Sequence, residues 1–155
     1  MTLSDAARLH VEQSWDEIVP VLRDYIAIPN VSEAYDPEWR QHGYMHQAVE
    51  LIRAWCVDRH IEGASVEVHE VDDRSPLIFI EIPPAGGGDP NDTVVLYGHL
   101  DKQPEMEGWR EGLGPWTPVL EGDRLYGRGG ADDGYSTFAS LTAIEAVRAA
   151  GGAHV

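Results

Sequence analysis

The sequence predicts an α/β fold, a layered sheet with helices on its faces, and three observations carry that expectation. Two segments near the N-terminus repeat apolar residues at helical spacing. The middle of the chain switches to alternating and β-branched runs. A last amphipathic stretch returns to the helical period. Helices that each hide one apolar stripe, on either side of strand-rich sequence, are expected to pack on a sheet.

The first helix is expected to start at Ser4 and Asp5, both good N-terminal residues. Trp15, Ile18, Val19, Leu22, Tyr25 and Ile26 share one face of it. Pro20 should bend or restart the helix, and Ile28-Pro29-Asn30 should end it. After a polar loop to Asp36, Pro37 suits the first turn of a second helix. Its stripe is Met45, Ala48, Val49, Ile52, Trp55 and Cys56. Val66, Val68 and Val71 mark one strand and Leu77 to Ile82 another. Past the glycine-rich loop Ala85 to Pro90, Thr93-Val94-Val95-Leu96-Tyr97 reads as a strand buried on both faces. Val119 to Tyr126 reads as a hairpin turning at Gly122-Asp123. Ser136 to Ala150 reads as a helix buried through Phe138, Leu141, Ile144 and Val147, with Glu145 and Arg148 as a solvated pair. Gly151 suits its C-cap, and His154-Val155 suits the start of another strand. A βα unit halted there lacks its returning strand, so the chain is expected to be truncated at its C-terminus.

A chain of 155 residues fits one domain with a sizeable core. With 43% hydrophobic and 25% charged residues it has an ordinary globular composition. Eleven basic against 27 acidic residues, a formal charge of −16, argue against nucleic acid and against an anionic membrane surface. The excess acid serves solubility, cation binding or both. Cys56 is the sole cysteine, which rules out an internal disulfide and fits a reducing compartment. Its apolar neighbours Ala54, Trp55 and Val57 mark it as an inert buried thiol. Met1 to Leu22 has no apolar core of a signal peptide, and no run approaches the roughly 18 apolar residues of a membrane span. The expected location is the cytoplasm.

Two segments carry chemistry. In Tyr97-Gly98-His99-Leu100-Asp101-Lys102-Gln103-Pro104, residues two apart on extended backbone put His99 and Asp101 on one side. An imidazole with a neighbouring carboxylate suits a metal ligand and the group that orients it, or else a surface pair with no task. In Leu125-Tyr126-Gly127-Arg128-Gly129-Gly130-Ala131-Asp132-Asp133-Gly134, two adjacent acids sit in a glycine-rich turn before a helix. Adjacent carboxylates repel unless a cation or a proton offsets them, and one carboxylate can bridge two metal ions. The plainer reading is helix capping, with Asp133 on the helix and Asp132 toward the crevice. Gly127-Arg128-Gly129 is a poor dinucleotide loop, because Asp132 takes the third glycine's place and acids oppose a pyrophosphate.

Other candidates are weaker. His42 and His46 lie four apart, but Gly43 stands where a zincin has its glutamate, so structural histidines are the better reading. Trp109 and Trp116 suit a pocket wall or loop packing. Arg128 suits an ion pair with the acidic turn or, less well, a substrate carboxylate.

Taken in order, Gly-His-Leu-Asp-Lys-Gln-Pro, the loop with Gly108-Trp109 and Pro115-Trp116-Thr117-Pro118, and Leu-Tyr-Gly-Arg-Gly-Gly-Ala-Asp-Asp resemble one family of two-zinc metallopeptidases. It includes carnosinase-type dipeptidases, aminoacylases, acetylornithine deacetylase, succinyl-diaminopimelate desuccinylase and glutamate carboxypeptidase. The likeness starts at Ile26-Ala27-Ile28-Pro29-Asn30-Val31-Ser32, runs to the last helix, and is closest to the dipeptidases.

The resemblance implies the N-terminal part of a zinc-peptidase catalytic domain over residues 1–155. His99 would be a zinc ligand, Asp101 would orient it and tune the catalytic base, and Asp132 would bridge two zinc ions, with cobalt or manganese as substitutes. Asp133 and Arg128 are secondary candidates, and the bond between Asp132 and Asp133 would be cis. Asp132-Asp133-Gly134-Tyr135 lacks the lysine many members carry there, which bears on branch and substrate. The family's Glu-Glu pair, with its general base, the later acidic and histidine ligands and the inserted dimerisation domain have no match in this chain. The implied activity is hydrolysis of a small peptide or N-acyl amino acid by a full-length parent, for which the resemblance suggests a homodimer, with this piece inactive alone. The alternative is a non-catalytic fragment or module whose acidic turn is structural and binds no metal.

Overall fold

The computed structural model describes residues 2–72 and 74–155. Met1, where the reading of the N-terminal stretch begins, lies outside them. Helix α1 spans Leu3–Ala27. Its cap is Thr2 rather than Ser4: the Asp5 N–H donates to Thr2 Oγ1 at 3.1 Å and the Thr2 N–H donates back to Asp5 Oδ2 at 3.0 Å. That reciprocal pair satisfies two otherwise orphaned donors. Pro20 lies inside α1 without ending it. Both Pro20 and Asp16, whose carbonyl the proline leaves without its helical donor, are exposed, so water can take that place. Trp15 is 56% exposed, and Ser14 is buried instead. One turn back from Ile18, the inward stripe falls on residue 14, whose hydroxyl donates to His10 O at 2.9 Å.

The second helix is divided. Helix α2 is the single turn Trp39–His42, and α3 is Tyr44–Asp58. Gly43, with φ 73°, ends one and starts the other. All six residues of the expected stripe on α3 are buried. Helix α4, Ser136–Ala149, packs along α1, and Gly151 at φ 74° closes it with its N–H donating to Arg148 O. Phe138 and Leu141 are buried, while Ile144 and Val147 are half-buried.

Strands β1 (Ser65–His69) and β2 (Leu77–Glu81) pair antiparallel, with Val66 opposite Ile80 and Val68 opposite Ile78. Val66, Ile78 and Ile80 pack against the helical core, Val68 is half-buried, and Val71 falls beyond the strand and is exposed. Strands β3 (Val119–Glu121) and β4 (Arg124–Tyr126) form the expected hairpin about Gly122-Asp123. The core gathers Ile18, Leu22, Tyr25 and Ile26 of α1, Ala48, Ile52, Trp55 and Cys56 of α3, and Phe138 and Leu141 of α4. This is the mixed helix-and-sheet layering expected from the sequence.

One element departs from expectation. Residues 93–97 form no ladder with either strand pair, and Val94, Val95, Leu96 and Tyr97 are 66%, 84%, 56% and 83% exposed. A strand hides both faces only when neighbours pair along its edges and helices cover it, and no described residues do this here. His154 makes a single antiparallel bridge with Ala85 rather than a strand.

Candidate active site

The segment after this exposed run is held firmly. The Leu100 carbonyl accepts hydrogen bonds from Tyr25 Oη at 2.5 Å and Asn30 Nδ2 at 2.7 Å. The Lys102 N–H donates to Asn30 O, and the Ser32 N–H donates to Lys102 O, forming a parallel bridge between Val31 and Lys102. Extended backbone fixed in this way turns residues 99 and 101 to one side. His99 Nδ1 lies 3.2 Å from Asp101 Oδ1 and 3.0 Å from Asp101 O.

The acidic turn approaches from the other direction. Gly130–Gly134 makes one loose turn in which Asp132 (φ −131°, ψ 90°) and Asp133 (φ −125°, ψ 24°) leave helical geometry, and the peptide bond between them is cis. Asp132 Oδ1 comes to 3.4 Å from His99 Nε2, and Asp133 Oδ2 accepts the His99 N–H at 3.3 Å. The approach depends on missing side chains. A Cβ on Gly98 would stand 2.0 Å from Ser136 Oγ, and one on Gly134 would stand 2.1 Å from the Tyr25 ring.

The electrostatics follow from the crowding. Partial burial works against the His99 imidazolium, but the Asp101 carbonyl and the charges of Asp101, Asp133 and Asp132 outweigh it and raise the ring's pKa. Beneath the site Lys102 is fully buried, and burial pushes its ammonium down to about 7. Its Nζ donates to the carbonyls of Tyr25, Ile26 and Ile28 at 2.7, 3.3 and 2.6 Å.

The donor set suits a zinc ion. Two protein ligands on one tetrahedral zinc, each at roughly 2.0–2.2 Å, stand about 3.3–3.6 Å apart. The His99 Nε2 to Asp132 Oδ1 separation of 3.4 Å falls inside that range. Asp101 at Nδ1 leaves Nε2 as the free ring nitrogen. Among the described residues no group of three or more His, Cys, Asp or Glu side chains gathers as a metal cage.

Residues 95–155 match peptidase family M20/M25/M40. That stretch contains both motifs and agrees with the family resemblance read from them. The chain is 28% identical over 148 residues to Beta-Ala-His dipeptidase of Mus musculus, covering 90% of this chain and 29% of the relative. Among solved structures, the di-peptidase Dug1p of Saccharomyces cerevisiae aligns with TM-score 0.71 and 22% identity, over 98% of this chain and 33% of that one. Human carnosine dipeptidase 1 aligns with TM-score 0.64 and 26% identity, over 97% and 32%. The chain spans less than a third of the length of the curated relative, and the solved structures share its fold.

Several sequence readings are corrected. Asp133 does not cap α4, which has no side-chain cap; its carboxylate holds the His99 N–H instead. Arg128 does not pair with the acidic turn: its Nε donates to the carbonyls of Gln103 and Pro104, 3.4 and 3.2 Å away. Glu145 and Arg148 do not form a pair. Glu145 takes Arg59 at 3.1 Å, and Arg148 reaches the carbonyls of Glu62 and Pro83 and the ring of His154. Three and four apart on a helix gives proximity, but tertiary partners outbid it here. The preference for structural histidines over a zinc pair agrees with the structure: His42 and His46 go to separate acids, Asp36 and Glu70, and His46 stacks on Trp39. Trp116 donates its indole N–H to Glu105 at 2.7 Å.

Sequence reasoning missed Tyr25, Asn30 and Lys102 as supports of the site. A signal existed for the last. Lys102 is the only lysine in a chain with ten arginines, and it directly follows the His-Leu-Asp motif.

Proposed function

We propose that this chain is the N-terminal part of the catalytic domain of a zinc-dependent amidohydrolase that cuts dipeptides or N-acyl amino acids. The observation that supports it best is the 3.4 Å approach of His99 Nε2 to Asp132 Oδ1, two residue types that ligate zinc, from the two motifs the family shares. The match to family M20/M25/M40 and the likeness to a Beta-Ala-His dipeptidase favour a dipeptide-like substrate.

In this reading His99 would hold zinc through Nε2, Asp101 at Nδ1 would fix the ring's tautomer and direction, and Asp132 would be the ligand shared by two ions. Asp133 fastens the turn to the His99 backbone. The chemistry a zinc ion would supply there is Lewis acidity toward the amide carbonyl and a more acidic water. The general base and the remaining ligands belong to sequence outside these 155 residues, so the chain alone is inactive. For the parent's location this reading keeps the cytoplasm, which the single cysteine fits. Separately, no helix of the described residues is long and apolar enough to cross a membrane.

Metal titration by calorimetry tests the site. The chain should take up zinc, and His99→Ala and Asp132→Ala should each weaken uptake at least tenfold. Equal uptake by all three proteins would favour the rival reading, a non-catalytic module whose acidic turn is structural.

A further inference from the structure

Lys102 sits where three parts of the site meet. Its backbone belongs to the extended segment that carries His99 and Asp101, bridged to Val31. Its ammonium closes the C-terminal end of α1, with one proton available for each of the carbonyls of Tyr25, Ile26 and Ile28. Its stem lies under the acidic turn: a Cβ on Gly129 would stand 2.6 Å from Lys102 Cε, so turn and stem are in van der Waals contact. Gly129 O in turn accepts the Gly134 N–H at 2.8 Å, which closes the loop bearing Asp132 and Asp133. The ammonium also lies 4.0 Å from the centre of the Tyr25 ring, the residue whose hydroxyl holds Leu100 O.

We infer that Lys102 is a positioning residue: by tying the C-terminal carbonyls of α1 to the extended segment of His99 and Asp101 and filling the space beneath Gly129, it sets the distance between His99 and the Asp132-Asp133 turn. No exposed role is open to it, since the side chain is fully buried. An arginine is bulkier at the contact with Gly129 and spreads its donors over a rigid planar fork, whereas three carbonyls converging on one nitrogen suit an ammonium. The arrangement accounts for the one lysine of the chain standing here.

This inference rests on the metal-site reading for its consequence but not for its geometry, and the experiment separates the two. The His99 N–H donates to Asp133 Oδ2 and therefore reports the meeting of the two segments without any metal. Amide exchange and chemical shifts are measured in the wild-type chain, in Lys102→Met, and in Ile52→Val, which trims the core at a residue away from the site. In Lys102→Met, protection of the His99 amide should fall at least tenfold more than global stability does, and zinc affinity, probed with zinc alone, should fall with it. Ile52→Val should lower both only in step with global stability. Lys102→Gln, which keeps a donor and most of the stem, takes the place of Lys102→Met if that variant does not fold. Lys102 is only a packing residue if His99 protection and zinc affinity in its variants merely track global stability. If the wild type binds no zinc while the His99 amide still loosens in Lys102→Met, the metal reading fails and the positioning role stands.

Discussion

His99 and Asp132 belong to different segments, yet Nε2 of one stands 3.4 Å from Oδ1 of the other, with Asp101 behind the ring at Nδ1. Binding a cation there requires the imidazole to give up its proton. The surrounding carboxylates raise the ring's pKa, although partial burial opposes them, so the proton competes above the usual range. Zinc affinity should therefore climb as pH rises through the raised value and level off above it. Asp101→Asn removes one of the raising charges and should shift the climb to lower pH. Without metal the sign reverses for stability. The raised pKa stabilises the fold below the ordinary imidazole value, and that contribution is lost as pH passes the folded value. Calorimetry from about pH 5.5 to about pH 8.5 reads the first effect; an affinity flat across that window contradicts it.

Gly134 is the tightest of the turn's contacts with α1, since an added Cβ would meet the Tyr25 ring at 2.1 Å and Gly129 O at 2.6 Å. Tyr25 is fully buried and cannot swing away. Gly134→Ala should cost about 3 kcal/mol, the upper part of the usual overpacking range. Gly151→Ala makes the useful comparison: its φ is 74°, but nothing lies within 4 Å of the added carbon. It should cost only about 1 kcal/mol of backbone strain. Urea unfolding of the two variants decides; equal losses refute a steric role for Gly134.

The sequence made the helical faces readable because burial there is local and periodic. On α3 every expected residue is buried, since each stripe position follows from its neighbours. Trp15 misled because its apolar bulk suggested burial, whereas the helical angle puts Ser14 inward. The run Val94 to Tyr97 misled for a different reason: a strand's cover comes from distant chain, which composition cannot report. At the site, the spacing of His99 and Asp101 was enough to predict their shared side, and the glycines around Asp132 signalled close backbone approach. For Lys102 the sequence signalled the position, as the one lysine beside the His-Leu-Asp motif, but not the task, because its three acceptors are helix-terminal carbonyls that every sequence supplies.

Cys56 is expected to resist thiol reagents in the folded chain. It is buried in the core against α1 and α4, and burial pushes its thiol up to about 12, so almost no thiolate exists near neutral pH. Labelling with a chromogenic disulfide should be slow in buffer and fast in denaturant, with the native rate tracking the open population. Fast stoichiometric labelling of the native protein would place the thiol at the surface.

Arg59 joins three helices from the end of α3. Its Nε reaches both oxygens of Glu145 on α4 at 3.1 and 3.2 Å, its Nη1 reaches Glu17 on α1 at 3.1 Å, and its guanidinium lies 5.4 Å from the centre of the Trp55 ring. The two acids are not equivalent. The Glu145 side chain is 13% exposed and that of Glu17 is 69% exposed, so water screens the second contact far more than the first. Arg59→Met keeps an apolar stem on Trp55 but leaves Glu145 partly buried without its cation, which should cost about 2 kcal/mol. Glu17→Gln should cost no more than about 0.5 kcal/mol and lose even that in high salt. A double-mutant cycle on Arg59→Met and Glu145→Gln should return a coupling of about 1 kcal/mol. Coupling below about 0.3 kcal/mol, with Glu17→Gln the costlier acid variant, would mean that α1 rather than α4 is the helix this arginine secures.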